Sequence, residues 1–206
     1  MSTAEQPDFF SLQQYLEIEE NSLIKNEYID GWIRAMTGGT NRHSKVSLNC
    51  ACELKRLLKG SPSEPYCSDT KVRIRNSLMN RFYYPDVQVV CDPNPGTDVF
   101  QDRPVLIVEV LSPSTRLYDL DEKLNAYLMI PSLKCYLILE HHQPIATAIF
   151  RDGDSTLQQQ YQGIGAVIDL PFLQVSLALS AIYEGVEFTP TCVQESELEY
   201  RDTSNA

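Results

Sequence analysis

The chain has 206 residues, of which 43% are hydrophobic and 22% charged, a composition typical of a globular protein and not of a disordered one. No window reaches the roughly 20 apolar residues that a membrane helix needs, and no signal-peptide pattern opens the chain. Six cysteines without a C-x-x-C pair and only three histidines disfavour a zinc site. We therefore expect a soluble cytoplasmic protein, with one domain over residues 1–188 and an acidic flexible tail over 189–206.

The net charge of −11 opposes nucleic-acid binding at first sight, but the acidic excess lies at the two ends. Residues 1–24 contain five acids and no base, residues 161–206 contain seven acids and only Arg201, and residues 25–160 contain sixteen of each. The middle of the chain is neutral, so a nucleic-acid partner there is not excluded.

The first third of the chain predicts two helices around a hairpin. Asp30-Gly31 between apolar runs predicts a tight hairpin turn, and we interpret Trp32 beside it as a core residue. Asn41 follows a Gly-Gly break and can cap the second helix. The predicted elements are a helix at 10–20, a hairpin at 26–36 and a helix at 42–59.

The rest of the chain predicts strands around a third helix. Strict alternation in DTKVRIR places Lys71, Arg73 and Arg75 on one strand face, where they either bind phosphates or form an ordinary solvated surface. Asp119 and Glu122 have the N-cap and N3 spacing of a helix start. The order gives an α/β sandwich with a mixed sheet. The predicted elements are strands at 69–75, 82–91 and 104–111, a helix at 119–129, and strands at 134–140, 146–151, 156–162 and 166–170.

Two carboxylates carry the chemical signal. Glu109 interrupts PVLIVEVL, a strand that is otherwise apolar on both faces, where a carboxylate must be paired, protonated or bound to a cation. Asp86 opens a second apolar strand in YYPDVQVV; alone, Pro-Asp is a common strand-entry turn. Together, two acids at the ends of neighbouring strands suit Mg²⁺, which takes oxygen ligands and keeps several waters. Such a site would support metal-assisted hydrolysis.

These segments resemble the PD-(D/E)XK nuclease superfamily, and more narrowly the Uma-type family of restriction endonucleases. The resemblance implies a restriction-endonuclease-like core with a mixed β-sheet flanked by helices, an extra N-terminal hairpin and C-terminal strands. It further implies Mg²⁺ (or Mn²⁺) as cofactor, DNA as partner and phosphodiester hydrolysis by metal-activated water. The matching segments are NEYIDGWIRAM, GGTNRH, SDTKVRI, RFYYPDVQVVCDP, RPVLIVEVLSPST, YDLDEKLNAYLMIPSL and LPFLQVSLALSAIYEGVEF.

The motif lysine is missing. Leu111 stands where the superfamily has lysine, and the resemblance implies that Lys123 of the next helix replaces it. The alternative is a solvated lysine paired with Asp119. If Lys123 is catalytic, Lys123→Ala should lower cleavage about 10²-fold with folding largely intact.

For the metal we predict three ligands, Asp86, Glu109 and the carbonyl of Val110.

Two further residues match the family. Glu27 precedes the hairpin turn and is a candidate third metal ligand, or an exposed strand acid. His43 follows the Gly-Gly break and could position the scissile phosphate or transfer a proton, or stand as a structural helix-end residue. We expect both to line the cleft of Asp86, with Glu27 nearer the metal.

Three functions remain open. The first is a Mg²⁺-dependent DNA endonuclease, expected to be a homodimer because double-strand cleavage usually needs two active sites. The second is a catalytically decayed nuclease fold that binds DNA or protein, which Leu111 would explain. The third is a hydrolase of another phosphoester, which salt-sensitive DNA binding would argue against.

Overall fold

The computed structural model describes residues 9–36, 38–77, 79–112, 116–153 and 155–188, so the predicted tail lies outside the described residues. The helices are α1 (Leu12–Asn21), α2 (Asn41–Leu57), α3 (Arg116–Tyr118), a π-helical turn (Asp119–Lys123), α4 (Leu124–Tyr127) and α5 (Leu179–Ile182). The strands are β1 (Asn26–Ile29), β2 (Trp32–Ala35), β3 (Glu64–Cys67), β4 (Lys71–Arg75), β5 (Asn80–Tyr83), β6 (Val87–Val90), β7 (Phe100–Gln101), β8 (Pro104–Leu111), β9 (Cys135–Glu140), β10 (Ile145–Asp152), β11 (Ser155–Gln162), β12 (Val167–Leu170) and β13 (Val175–Ala178).

A six-stranded mixed sheet forms the centre, in the order β11-β10-β9-β8-β6-β3. Strand β8 lies inside it, parallel to β9 and antiparallel to β6. Its apolar residues alternate between two cores, with Val108 and Val110 in the core that includes residues of α2, and Ile107 and Leu111 in the core that includes residues of α4. Burial on both faces explains why PVLIVEVL lacks a polar–apolar alternation.

A second sheet, in the order β2-β1-β5-β4-β7, carries the N-terminal hairpin. The predicted Asp30-Gly31 turn is confirmed: both residues have positive φ, 51° and 110°, as a tight hairpin turn requires. The Asp30 carboxylate accepts hydrogen bonds from the backbone of Asn80 (2.7 Å) and from Arg81 (2.6 Å). These bonds fix the hairpin against β5.

The predicted strand 82–91 is wrong as a single element. Strand β5 ends at Tyr83 in one sheet, and β6 begins at Val87 in the other. Pro85 lies between them and has no N–H to donate to a ladder. Asp86 therefore lies at the junction of the two sheets, directly before β6.

Three smaller predictions need correction. Thr40, not Asn41, caps α2, because its hydroxyl accepts the backbone N–H of His43 at 3.2 Å. Asp119 is not an N-cap, since helix α3 begins before it and it lies within the π-helical turn, 3% exposed. Trp32 is not a core residue: it is 41% exposed.

The fold class is confirmed, with mixed sheets, flanking helices, an N-terminal hairpin and added C-terminal strands. Helix α2 packs on one face of the central sheet, and the segment from α3 to α4 covers the other. Among the described residues, none of the helices has the length and apolar character needed to cross a membrane.

Candidate active site

Strand pairing brings Asp86 and Glu109 together. Val87 pairs with Val108 in the antiparallel β6–β8 ladder, so the residue before Val87 lies beside Glu109. The carboxylate of Asp86 accepts the backbone N–H of Val110 at 2.7 Å, and the backbone N–H of Asp86 donates to Glu109 Oε2 at 3.4 Å. The two acids thus share one end of neighbouring strands, as their sequence positions suggest.

Glu109 is 3% exposed, and its Oε1 atom accepts two hydrogen bonds. Lys123 Nζ donates at 3.0 Å and the Tyr127 hydroxyl at 2.9 Å. Burial raises the pKa of Glu109 well above its ordinary value, Lys123 opposes that shift, and the charges of Asp86 and Asp119 add to it. An excess of carboxylates over cations therefore surrounds this strand end.

Lys123 is a buried lysine, 4% exposed, so the solvated alternative is wrong. Its Nζ lies 3.0 Å from Glu109, 3.2 Å from Glu27 and 3.5 Å from Asp119. Burial alone would lower the pKa of Lys123, but these three acids raise it well above its ordinary value. Lys123 approaches Glu109 over the face that Leu111 shares, which is where a replacement for the motif lysine has to come from. Its catalytic role stays a prediction.

Glu27 is buried as well, 2% exposed, and not an exposed strand acid. It accepts hydrogen bonds from the Tyr118 hydroxyl (2.9 Å) and the backbone N–H of Tyr84 (3.3 Å), and it pairs with Lys123. Glu27 is not among the residues that border the cavity described below, so the expectation that it lines this cleft is not met, and its proximity to a metal stays a prediction. Its contacts position Lys123.

His43 contacts the Asp86 carboxylate, with His43 Nε2 at 3.2 Å from Asp86 Oδ2. Burial would lower its pKa, but the hydrogen bond to Asp86, the charge of Asp86 and a backbone hydrogen bond at Val110 together raise it. The ring thus contacts two of the three predicted metal ligands, Asp86 and Val110. His43 therefore lies beside the predicted metal ligands and borders the cavity, and its role in catalysis stays a prediction.

Gly39 makes room for that ring. A Cβ atom at position 39 would lie 2.7 Å from His43 Nδ1, whereas a Cβ at Gly38 would meet nothing within 4 Å. We predict that Gly39→Ala displaces His43 from Asp86 and lowers the pKa of His43 toward its ordinary value. Titration of the imidazole protons by NMR measures the shift. Gly38→Ala is the matched control and should leave the titration unchanged; equal effects of both variants would contradict the steric explanation.

A cavity of about 630 Å³ opens over these residues. Asp86, Glu109, Val110, His43 and Lys123 all border it. The remaining wall consists of Ile24, Lys25, Met36, Gly38, Gly39, Thr40, Ser44, Ser47, Ser68, Tyr84, Ser112 and Asp119.

The three basic residues of β4 do not form an exposed row. Lys71 is 4% exposed and lies 3.9 Å from Glu19, and burial lowers its pKa. Arg73 donates two hydrogen bonds of 2.7 Å to Asp102. Only Arg75 of the three is exposed. None of them borders the cavity, and a phosphate-binding role for them stays a prediction.

The residues fit a hard cation better than a zinc ion. Among the described residues there is no cluster of three or more His, Cys, Asp or Glu side chains suited to a metal. Mg²⁺, however, binds through one or two carboxylates and retains waters. From the described residues, Glu109 Oε2 receives a single hydrogen bond, the 3.4 Å bond from the Asp86 N–H, and Asp86 Oδ1 receives none. These two oxygens can accept a cation.

The buried acids predict how stability changes with pH. Glu109 has a folded-state pKa raised above its ordinary 4.5. Its protonation therefore stabilises the folded state fully below pH 4.5, and this stabilisation is lost as the pH rises toward the folded-state pKa. In EDTA, we expect the free energy of unfolding to fall above about pH 5, by up to about 1.4 kcal/mol per pH unit. Denaturant titrations at a series of pH values measure it. Glu109→Gln should remove this slope, and exposed Glu64→Gln should keep it.

Two tyrosines of the site were missed from the sequence. Tyr127 donates to Glu109, and Tyr118 donates to Glu27. In the sequence, Tyr127 looks like one more apolar residue on the buried face of a helix. Its position four residues after Lys123 could have indicated a role in the site, because residues i and i+4 share a helix face. Tyr118 carries no comparable signal.

Comparisons with known proteins identify the family of this chain. The family model Uma2, described as "Putative restriction endonuclease", matches residues 12–181. The chain is 35% identical to the uncharacterized protein slr1290 of Synechocystis sp. over 180 residues, covering 86% of this chain and 93% of the relative. It is 30% identical to sll1609 of the same organism over 173 residues, covering 79% and 93%.

A crystal structure has a similar fold. It is titled a "putative nuclease belonging to DUF820" and comes from Anabaena variabilis ATCC 29413. The TM-score is 0.68 with 14% identity, over 84% of this chain and 97% of the other. At that identity the likeness concerns the fold alone.

Proposed function

This chain belongs to the Uma2 family of restriction endonuclease-like proteins, and from that premise we propose that it is a Mg²⁺-dependent DNA endonuclease that hydrolyses phosphodiester bonds. The proposal rests on the pair Asp86, directly before β6, and Glu109, on β8, which lie side by side and border one cavity, while Lys123 donates a hydrogen bond to Glu109. The excess of buried carboxylates favours binding of a divalent cation.

Asp86 and Glu109 would hold the metal, and a bound Mg²⁺ would supply an activated water and charge neutralisation at the phosphoryl group. Lys123 and Tyr127 fix the orientation of Glu109 through its Oε1 atom. Val110 N–H and His43 fix Asp86 through its Oδ2 atom. Both carboxylates are thus preorganised, with one oxygen each left for the ion.

Lys123 is also the group that can stabilise negative charge developing on the phosphoryl oxygens, because this lysine borders the cavity. His43 lies where it can hold or donate a proton beside Asp86. Glu27 and Asp119 keep Lys123 protonated. The absent motif lysine at position 111 is therefore replaced in space by a helix residue.

Plasmid nicking tests the proposal. Supercoiled DNA is incubated with the protein in Mg²⁺, in Mn²⁺ and in EDTA, and relaxed and linear products are resolved on a gel. Cleavage with either metal and none with EDTA is the expected result. Absence of cleavage with both metals, together with salt-sensitive DNA binding, would instead support the decayed, DNA-binding alternative.

We extend the proposal to a homodimer, because cutting both strands of a duplex with one site per chain requires two copies. Sedimentation velocity with and without duplex DNA measures the assembly. A monomer that linearises plasmid only after separate nicks would contradict the dimer while leaving the nuclease intact.

A further inference from the structure

Strand β2 presents an exposed face that the proposed chemistry does not use. Trp32 is 41% exposed and contacts Phe9, itself 68% exposed, edge to face at 4.9 Å between ring centroids. Arg34, two residues on, shares the face of Trp32 because side chains alternate along a strand. On this face Phe9 contacts Trp32 and Tyr118 contacts Arg34, yet both Trp32 and Arg34 stay exposed to solvent.

Arg34 is an exposed cation without an acidic partner. Its guanidinium lies over the Tyr118 ring, 3.6 Å from the centroid, and forms no ion pair with a carboxylate of the described residues within 4 Å. The stacking on Tyr118 orients the planar group and leaves its N–H donors available. A planar, oriented, unpaired guanidinium suits a phosphate.

This face leads directly to the candidate active site. Tyr118, under Arg34, donates to Glu27, and Glu27 pairs with Lys123 on Glu109. Past Arg34, Met36 continues the hairpin through a 2.9 Å hydrogen bond to the carbonyl of Lys25, and both residues line the cavity. From Trp32 to Met36 the chain spans about 14 Å.

We propose that β2 is the track for a single DNA strand leaving the active site, with Arg34 binding a backbone phosphate and Trp32 stacking on an unpaired base. This inference rests on the proposed nuclease function and names its substrate class, DNA with an unpaired segment next to the cut. An exposed aromatic beside a cation is the arrangement that binds single strands, because an unpaired base offers its face for stacking. A paired base in a duplex is already stacked on its neighbours.

Trp32 is the single tryptophan of the chain, so its fluorescence reports this site alone. Oligothymidylate is titrated into the protein in EDTA, where no cleavage occurs, and the experiment is repeated with a blunt duplex of equal length. We expect the single strand to quench Trp32 and the duplex to quench it much less. Equal quenching by both, or none by either, would overturn the track.

Variants separate the two contacts, with binding followed by anisotropy of a labelled oligothymidylate. Trp32→Leu should weaken binding about tenfold, and Trp32→Phe should retain most of it. Arg34→Ala should weaken binding and lower the slope of log affinity against log salt by about 0.7. Arg56→Ala, which removes an exposed arginine paired with Glu53 on α2, is the matched control, and Arg75→Ala tests the alternative phosphate row on β4. A larger loss from Arg75→Ala than from Arg34→Ala would contradict the proposal.

These measurements distinguish single-strand binding at β2 from nuclease activity. Quenching by single strands without any plasmid cleavage would support single-strand binding at β2 and contradict the nuclease function. Cleavage without quenching would support the nuclease function and contradict single-strand binding at β2. A change in Trp32 emission that follows protein concentration and not oligonucleotide would assign the face to self-association and overturn the track.

Discussion

An Asp86→Asn variant is expected to lose metal-dependent DNA cleavage by at least about 10²-fold while folding normally. The amide oxygen can still accept the N–H of Val110, which now bonds to Asp86 at 2.7 Å, so the strand junction survives. The lost negative charge removes half of the carboxylate pair that would hold the cation. Nicking rates and the shift of melting temperature on adding Mg²⁺ measure the two effects.

Asp92→Asn is the matched control for this variant. Asp92 has a 70% exposed side chain and pairs with Arg103 at 2.6 Å, and it does not border the cavity. We expect wild-type nicking and a wild-type response to Mg²⁺. An Asp86→Asn protein that nicks as fast as the wild type would eliminate Asp86 as a metal ligand.

Lys123→Met should reduce the free energy of unfolding by about 3–5 kcal/mol, because it leaves buried carboxylates without their cation. Glu109, Glu27 and Asp119 all lie within 3.5 Å of Nζ. In a chain of this length the melting temperature should fall on the order of 10 °C. This burial revises the expectation from the sequence that removing Lys123 leaves folding largely intact. Cleavage should fall about 10²-fold as well.

Two measurements separate electrostatics from packing in this variant. The stability difference from wild type should shrink at acidic pH, where the carboxylates become protonated, whereas a packing defect would be independent of pH. Lys134→Met, at an exposed position outside the cavity, should change the melting temperature little. A Lys123→Met protein as stable as the wild type at neutral pH would mean that the three acids do not depend on this lysine.

The sequence was most informative where burial and charge conflict. Glu109 could be recognised because an acid inside an apolar strand needs compensation, and Asp86 because it precedes the neighbouring strand. Lys123 required the family resemblance as well, since on residue type alone it reads as a surface lysine. Hydrophobic periodicity could not predict how many acids surround Lys123, or which ones.

The failed predictions have local physical causes. The run 82–91 was read as one apolar strand although Pro85 interrupts it, and that its two halves join different sheets depends on tertiary packing. Lys71 alternates like a surface residue, yet its burial against Glu19 depends on where α1 packs, which is a tertiary contact. Trp32 was assigned to the core by residue type, whereas its exposure follows from the edge position of β2.

The π-helical turn Asp119–Lys123 makes the replacement lysine sensitive to chain length. A π turn closes i→i+5 hydrogen bonds and so holds one residue more than an α-helical turn. Removing a single residue there would leave an α-helical turn and change the directions in which the side chains of the turn point. Lys123 would then no longer point at Glu109, although every side chain of the site would still be encoded. Among homologous genes, a one-codon deletion in this segment would therefore separate inactive copies from active ones more sharply than the identity of the residue at position 111.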